Sequence, residues 1–246
     1  MRTLLGLCAT LALLTGCATG PSPRPLPGVG IPPWEMPDGA YGSQRLYRVG
    51  YSGPEGEGSF RVTLRLAAAD RYQVQAVDPV GRALWSLDVT GGKGLSLNHR
   101  GRTFCAFEGS FDLSGVALGP FPLLSLPSLL LGRVPAQPAA APNQQGNELT
   151  FNDGGGRRWT ATVRDDGVVE SWTLWEQGAP SVWWLRREDW AILSNRERRQ
   201  VRWREVLQEP LANPPAPLEA PAAFREECGD DSGLRELAEE PEEPPG

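Results

Sequence analysis

Apolar and polar residues alternate with a period of two along most of this chain. Val62, Leu64 and Leu66 fall on one face, with Arg61, Thr63 and Arg65 on the other. Tyr72, Val74 and Ala76 oppose Arg71, Gln73 and Gln75. Trp85, Leu87 and Val89 continue the apolar face. Further on, Trp159, Ala161 and Val163 stand against Arg158, Thr160 and Thr162, and Val201 and Trp203 against Arg202 and Arg204. That spacing predicts antiparallel strands with one apolar and one wet face. Gly53-Pro54-Glu55-Gly56, Gly91-Gly92-Lys93-Gly94, Asn98 to Gly101 and Asp165-Asp166-Gly167 separate the runs as tight turns. The pattern predicts a mainly β meander of about ten or eleven strands, long enough to curl over its own apolar face.

One stretch breaks the alternation. From Phe121 to Gly132 the chain is a dense leucine run. Ser125 suits a helix cap, Pro127 a first turn and Gly132 a C-terminal stop. The helix expected there is too short to span a bilayer and would lie on the open side of the curled sheet. After it, Ala136 to Asn147 reads as an irregular loop.

Charge is unevenly placed. The 246 residues carry 24 Lys and Arg against 30 Asp and Glu. From Gln208 onward there are eleven acidic residues, two arginines and eight prolines, the composition of a disordered acidic tail. The body before it is close to neutral, without the concentrated basic face that nucleic acid requires. The arginine-rich 196–204 segment reads as a solvated outer face, or as a surface for an acidic partner.

The N-terminus has its own signature. Arg2 precedes an apolar run from Leu4 to Leu14, and Leu14-Thr15-Gly16-Cys17 follows. This resembles the signal peptide and lipobox of bacterial lipoproteins. The resemblance implies cleavage before Cys17 and acylation of Cys17. Ala18 stands where an aspartate retains many lipoproteins in the inner membrane, which implies anchoring to the periplasmic face of the outer membrane. Ala18 to Ser43 contains seven prolines and predicts an extended tether. The expected organisation is therefore a signal at 1–16, a tether at 17–43, a folded domain at 44–207 and the tail at 208–246.

Cys105 and Cys228 remain. Cys105 reads as a buried thiol; a bridge pinning the tail to the body is the alternative. No cluster of His, Cys, Asp or Glu has metal-ligand spacing, and no nucleophile elbow or phosphate-binding loop is present. His99 lies in a hairpin and reads as a solvated turn residue. The expectation is a protein that is not an enzyme and needs no cofactor.

Two features ask for more than a core. Eight tryptophans lie on the strand segments from Trp85 to Trp203, and a barrel too wide for its side chains to fill holds one apolar ligand. The other feature is Asp78-Pro79-Val80-Gly81, a type I turn with a β-branched apolar residue at its third position. An apolar hairpin tip either packs back on the body or inserts into something else.

At these residues the chain resembles a known family. Asp70-Arg71-Tyr72, then Asp78-Pro79-Val80-Gly81 and the Leu84–Leu87 strand, are similar to the LolB-like outer-membrane lipoprotein receptors of the LolA/LolB superfamily. So are the segment from Pro122-Leu123 to Leu131-Gly132-Arg133-Val134-Pro135, and the later order Gly156-Arg157-Arg158-Trp159, Pro180 and Asp189-Trp190-Ala191-Ile192. The resemblance spans roughly 45–207 and departs after Trp190, where the strand 200–207 and the tail extend beyond the usual end. It implies a half-open antiparallel β-barrel with a short α-helical lid. The implied protein is a monomer that accepts acylated lipoproteins from a LolA-like periplasmic carrier and delivers them to outer-membrane lipid. Pro79, Val80 and Gly81 would form the membrane-insertion loop, with valine a smaller wedge than the family's leucine. Facing by alternation nominates Leu64, Leu66, Val74, Trp85, Leu87, Leu126, Leu129, Leu130, Trp159 and Trp172 as the acyl-chain cavity. The competing reading is a structural envelope lipoprotein with a filled β core.

Overall fold

A computed structural model of the chain describes residues 31–54, 56–112 and 120–228. Cys17, the signal and the first part of the tether lie outside these residues, as does the tail beyond Cys228.

The alternating runs form one meander, β1 (Ser43–Gly53), β2 (Gly56–Ala68), β3 (Arg71–Val77), β4 (Ala83–Thr90), β5 (Lys93–Asn98) and β6 (Thr103–Glu108). A small hairpin follows, β7 (Ser110–Asp112) with β8 (Pro120–Pro122), and then helix α1 (Leu126–Leu130). The second meander is β9 (Asn143–Gln145), β10 (Glu148–Asn152), β11 (Arg158–Val163), β12 (Val169–Glu176), β13 (Ala179–Arg187), β14 (Trp190–Asn195) and β15 (Gln200–Pro210), with β16 (Arg225–Glu226) last. The two meanders join at β1 and β15, antiparallel from Ser43↔Pro210 to Ser52↔Gln200. The result is a 14-stranded sheet running β16-β6-β5-β4-β3-β2-β1-β15-β14-β13-β12-β11-β10-β9. Its ends are not paired with each other, so it is a half-open barrel. The sixteen strands exceed the ten or eleven expected chiefly because β7, β8, β9 and β16 are too short to show an alternation.

Alternation assigns the faces correctly. Val62, Leu64, Leu66, Val74, Leu87, Trp159, Ala161 and Trp203 are buried on the concave face. Leu126, Pro127 and Leu129 of α1 close over them. Pro127 sits in the first turn, and Gly132 ends the helix at φ +70°, with its N–H on the Leu129 carbonyl at 3.0 Å. Ser125 occupies the cap position, but its side chain makes no capping hydrogen bond. A five-residue helix has no independent stability, so packing and anchors hold it. Tyr72 on β3 donates its hydroxyl to the Leu123 carbonyl at 2.5 Å, and Trp203 on β15 donates its indole N–H to the Leu130 carbonyl at 3.1 Å.

Two segments expected to be unfolded belong to the body. Residues 31–43 are not an extended tether. Pro33, Trp34 and Ala40 are buried, and the Trp34 ring meets Phe151 edge-on at 5.7 Å. A tryptophan within the proline-rich stretch supplies the apolar surface that repays its ordering.

The tail expected to be disordered is ordered from Gln208 to Cys228 as a strap over the convex face. Arg71 and Gln73 donate to the Pro215 and Ala216 carbonyls, and the Leu218 N–H donates to Asp88 Oδ2 at 3.0 Å. β16 then pairs in parallel with β6, Arg225↔Thr103 and Glu226↔Phe104. That register brings Cys228 beside Cys105, and the two form a disulfide with Cα atoms 5.0 Å apart. Cys105 is therefore bridged rather than a free thiol.

The strap also changes the place of His99. It is half-buried, its Nε2 hydrogen-bonded with Ser86 Oγ at 2.9 Å and its ring edge-on to Phe224. Burial holds the imidazole below its ordinary value of 6.5, so the unfolded chain takes up this proton first on acidification. His99 therefore contributes stability that is full above pH 6.5 and declines as the pH falls below it. Thermal unfolding between pH 7.5 and 5.5, values bracketing the ordinary imidazole pKa of about 6.5, should show this decline in the wild type. His99→Asn should remove it; an unchanged profile would refute the assignment.

Candidate functional site

The proposed lining residues converge. Leu64 and Leu66 of β2, Val74 of β3, Trp85 and Leu87 of β4, Leu126 and Leu129 of α1, Trp159 of β11 and Trp172 of β12 share one buried cluster. Leu130 is partly buried against it. Aromatic rings dominate one half: Trp159 and Trp172 are 5.4 Å apart, and Trp172 stacks on Trp184 at 6.4 Å. Nine of the ten proposed lining side chains are buried. The cluster holds two unusual donors. Among the described residues the buried indole N–H groups of Trp172 and Trp184 meet no acceptor, although buried donors ordinarily find one.

Among the described residues the cluster is roofed by α1, by residues 31–36 and by Phe111 and Phe121 of the β7–β8 hairpin, and Arg133 ties residues 31–36 in place. Its side chain is buried, and its guanidinium donates to the carbonyls of Glu35 at 2.8 Å, Gly167 at 3.3 Å, Ile31 at 3.4 Å and Pro32. Burial pulls its pKa downward, the Glu35 charge opposes this, and Arg186 adds to the lowering. A groove of about 350 Å³ opens beside the roof, lined by Trp34, Leu124, Ser125, Ser128, Gln137 and the Asp153 turn, among others. That is near the lower limit for ligand sites. Sequence reasoning nominated neither Trp34 nor Arg133. Trp34 in a proline-rich stretch was the available signal.

The Asp78 turn has the geometry expected. The Gly81 N–H reaches the Asp78 carbonyl at 3.0 Å, and Gly81 lies at φ +92°. Asp78 Oδ1 accepts the N–H groups of Val80 and Arg82, and Oδ2 accepts Arg82 Nε at 2.6 Å. Partial burial pushes the Asp78 carboxyl upward. The hydrogen bonds and charge of Arg82 and the Val80 N–H outweigh it and leave the group below the usual carboxylate range.

The chain builds this turn twice. Asp153-Gly154-Gly155-Gly156-Arg157 repeats it bond for bond: Gly156 N–H to the Asp153 carbonyl, Gly155 and Arg157 N–H to Oδ1, and Arg157 Nε to Oδ2. There the two tip residues are both glycine. Turn geometry therefore does not require Pro79-Val80. Yet Val80 is 77% exposed, the highest value for a large apolar side chain among the described residues. It does not pack back on the body.

No protein-family model matches the chain, and no curated protein matches it. Solved structures do. A LolA superfamily protein from Nitrosomonas europaea is similar over 74% of this chain and 90% of its own, with a TM-score of 0.51 and 10% identity. A putative outer membrane lipoprotein-sorting protein domain from Vibrio parahaemolyticus matches over 71% and 87%, with a TM-score of 0.44 and 8% identity. The fold of this chain, a half-open β sheet wrapped on a short helix, is that of the LolA superfamily protein.

Proposed function

We propose that this protein is an envelope lipoprotein that receives acylated lipoproteins in its concave apolar face and passes them to the outer membrane, as LolB-like receptors do. The observation carrying this reading is the nature of the roof. The apolar concavity is covered by α1, residues 31–36 and the small β7–β8 hairpin, whose Phe111 stacks on Trp85 and whose Phe121 joins the buried cluster; none of these belongs to the 14-stranded sheet. Each methylene taken out of water stabilises a bound acyl chain by about 0.8 kcal/mol, and a roof of this kind can yield to that driving force. The orphaned indoles of Trp172 and Trp184 offer donors to the carbonyl oxygens of an acylated ligand. The protein acts by binding rather than by catalysis. Cys17 carries the lipid anchor, and a LolA-like carrier is the donor.

Val80 serves as the membrane-inserting tip. Val80→Glu is expected to cut transfer of a lipopeptide from carrier to vesicles at least about tenfold, because a carboxylate resists entry to the acyl region. Uptake from solution should be unchanged, and stability should stay within about 0.5 kcal/mol, as for other exposed sites. Unaltered transfer would remove the role of the tip.

The burial of nine of the ten candidate lining residues favours one other reading, a structural envelope lipoprotein with a permanently filled core. Titration of the unacylated chain with a fluorescent fatty acid and a triacyl lipopeptide separates the two. Saturable uptake of either supports the receptor; uptake of neither leaves the structural reading.

A further inference from the structure

Outside the barrel, β2, β1 and β15 place three arginines in a row. Arg61 pairs with Arg48, and Arg48 with Arg204. Like charges directly opposite on a sheet face are destabilising. Arg204 has a carboxylate, Asp189, at 3.0 Å. Arg61 donates to the Pro79 carbonyl at 3.3 Å. Among the described residues neither Arg48 nor Arg61 has an acidic partner. The neighbouring row on the same face is Thr63, Leu46 and Leu207. Beside it, a bulge in β15 leaves Val206 exposed. Val206 is 58% and Leu207 49% exposed. A groove of about 350 Å³ joins the two rows, with Leu46, Arg48, Arg61, Pro79 and Val206 in its wall. Pro79 leads directly into the Val80 tip.

We propose that this convex patch, with Arg48 and Arg61 flanked by Val80, Val206 and Leu207, docks on an anionic phospholipid bilayer. Guanidinia pair with lipid phosphates through charge-assisted bonds. Exposed aliphatic side chains gain by entering the boundary between headgroups and acyl chains. A bilayer answers both features at once. The acidic residues 229–246 match the charge but would leave the three apolar side chains in water. The proposal deepens the reading of Val80 as membrane-facing: the tip becomes the leading edge of a docking face.

The test uses the mature chain without its acyl anchor, Ala18–Gly246, sedimented with vesicles of phosphatidylcholine and with vesicles enriched in phosphatidylglycerol. Binding should strengthen with phosphatidylglycerol and weaken with salt. Arg48→Gln with Arg61→Gln should weaken it about 30-fold on the anionic vesicles, from the usual contribution of a basic residue near such a surface. Thermal unfolding of this variant should be unchanged or raised, since a like-charge contact is relieved. Val206→Ser with Leu207→Ser should weaken binding as well.

Equal binding to both vesicle types would overturn the proposal, as would unaltered binding of the double arginine variant. Saturable binding of a 229–246 peptide at Arg48 and Arg61 without vesicle binding would assign the face to the tail instead. Lipopeptide uptake is a separate readout. Its failure with vesicle docking intact sinks the receptor reading and leaves this face standing; the reverse result sinks only the face.

Discussion

Arg133→Ala should open the roof and destabilise the protein by about 3 kcal/mol or more. The substitution removes a buried guanidinium and strips partners from the carbonyls of Ile31, Pro32, Glu35 and Gly167. Hydrogen bonds to a charged group contribute about 1.5–3 kcal/mol each, and a buried acceptor left unpaired costs about 1–3 kcal/mol. Water entering the vacated space offsets part of that sum, which sets the expectation at its lower end. Lysine should not rescue, because a single ammonium cannot span four carbonyls that a planar fork reaches. Denaturant unfolding measures the loss, and proteolysis within residues 31–36 reports the release of the segment. If the roof gates the apolar face, the variant should also take up a fluorescent fatty acid faster than the wild type. A variant as stable and as protected as the wild type would show that Arg133 is not the lock.

What the sequence disclosed, and what it withheld, divides along local and distant interactions. Val62, Leu64 and Leu66 reveal their face because alternation is local. The Asp78 turn is legible because its bonds run among five consecutive residues. Nine of the ten nominated lining residues are buried, since one face of a curled sheet has one inside. Three contacts were out of reach. The β1–β15 junction joins segments about 150 residues apart in sequence, so no hairpin signal announces it. The strap looked disordered because its few apolar side chains cannot form a core; it is held instead by Arg71, Gln73 and Asp88 on the sheet. Residues 31–43 looked like a tether because proline content outweighed one tryptophan.

The burial of the candidate lining bears on how a receptor of the proposed kind would work. A dry, vacant apolar hollow forgoes dispersion contacts, so an unliganded receptor gains by collapsing its roof onto the strands. Tyr72 holds the turn that leads into α1 and Trp203 holds the last residue of the helix, from strands on different parts of the sheet. On the proposed receptor reading, the closed arrangement would be the resting state of a cavity whose opening is coupled to its occupant.

Breaking the Cys105–Cys228 bridge should lower global stability by about 2–5 kcal/mol. The bridge closes a loop across a sequence separation of 123 residues, from β6, next to the end of the sheet, to a strap that leaves β15 at mid-sheet. β7 to β15 lie within that loop. Unfolding that parts the two meanders must therefore open a chain whose freedom the bridge restricts, and the effect reaches beyond the strap. A local effect comes first. Without the bridge β16 is held to β6 by only a short parallel ladder and by the backbone bonds of Arg225 and Glu227, and β6 becomes a free edge open to another chain. Cys105→Ser with Cys228→Ser should thus show three changes: faster hydrogen exchange at the Leu218 and Glu227 amides, a lower midpoint in urea, and self-association at high concentration. The proposed acyl-chain face lies on the other side of the sheet, and any fatty-acid affinity should be kept. If urea unfolding of the double variant matches that of the oxidised protein, the strap is an appendage rather than a brace.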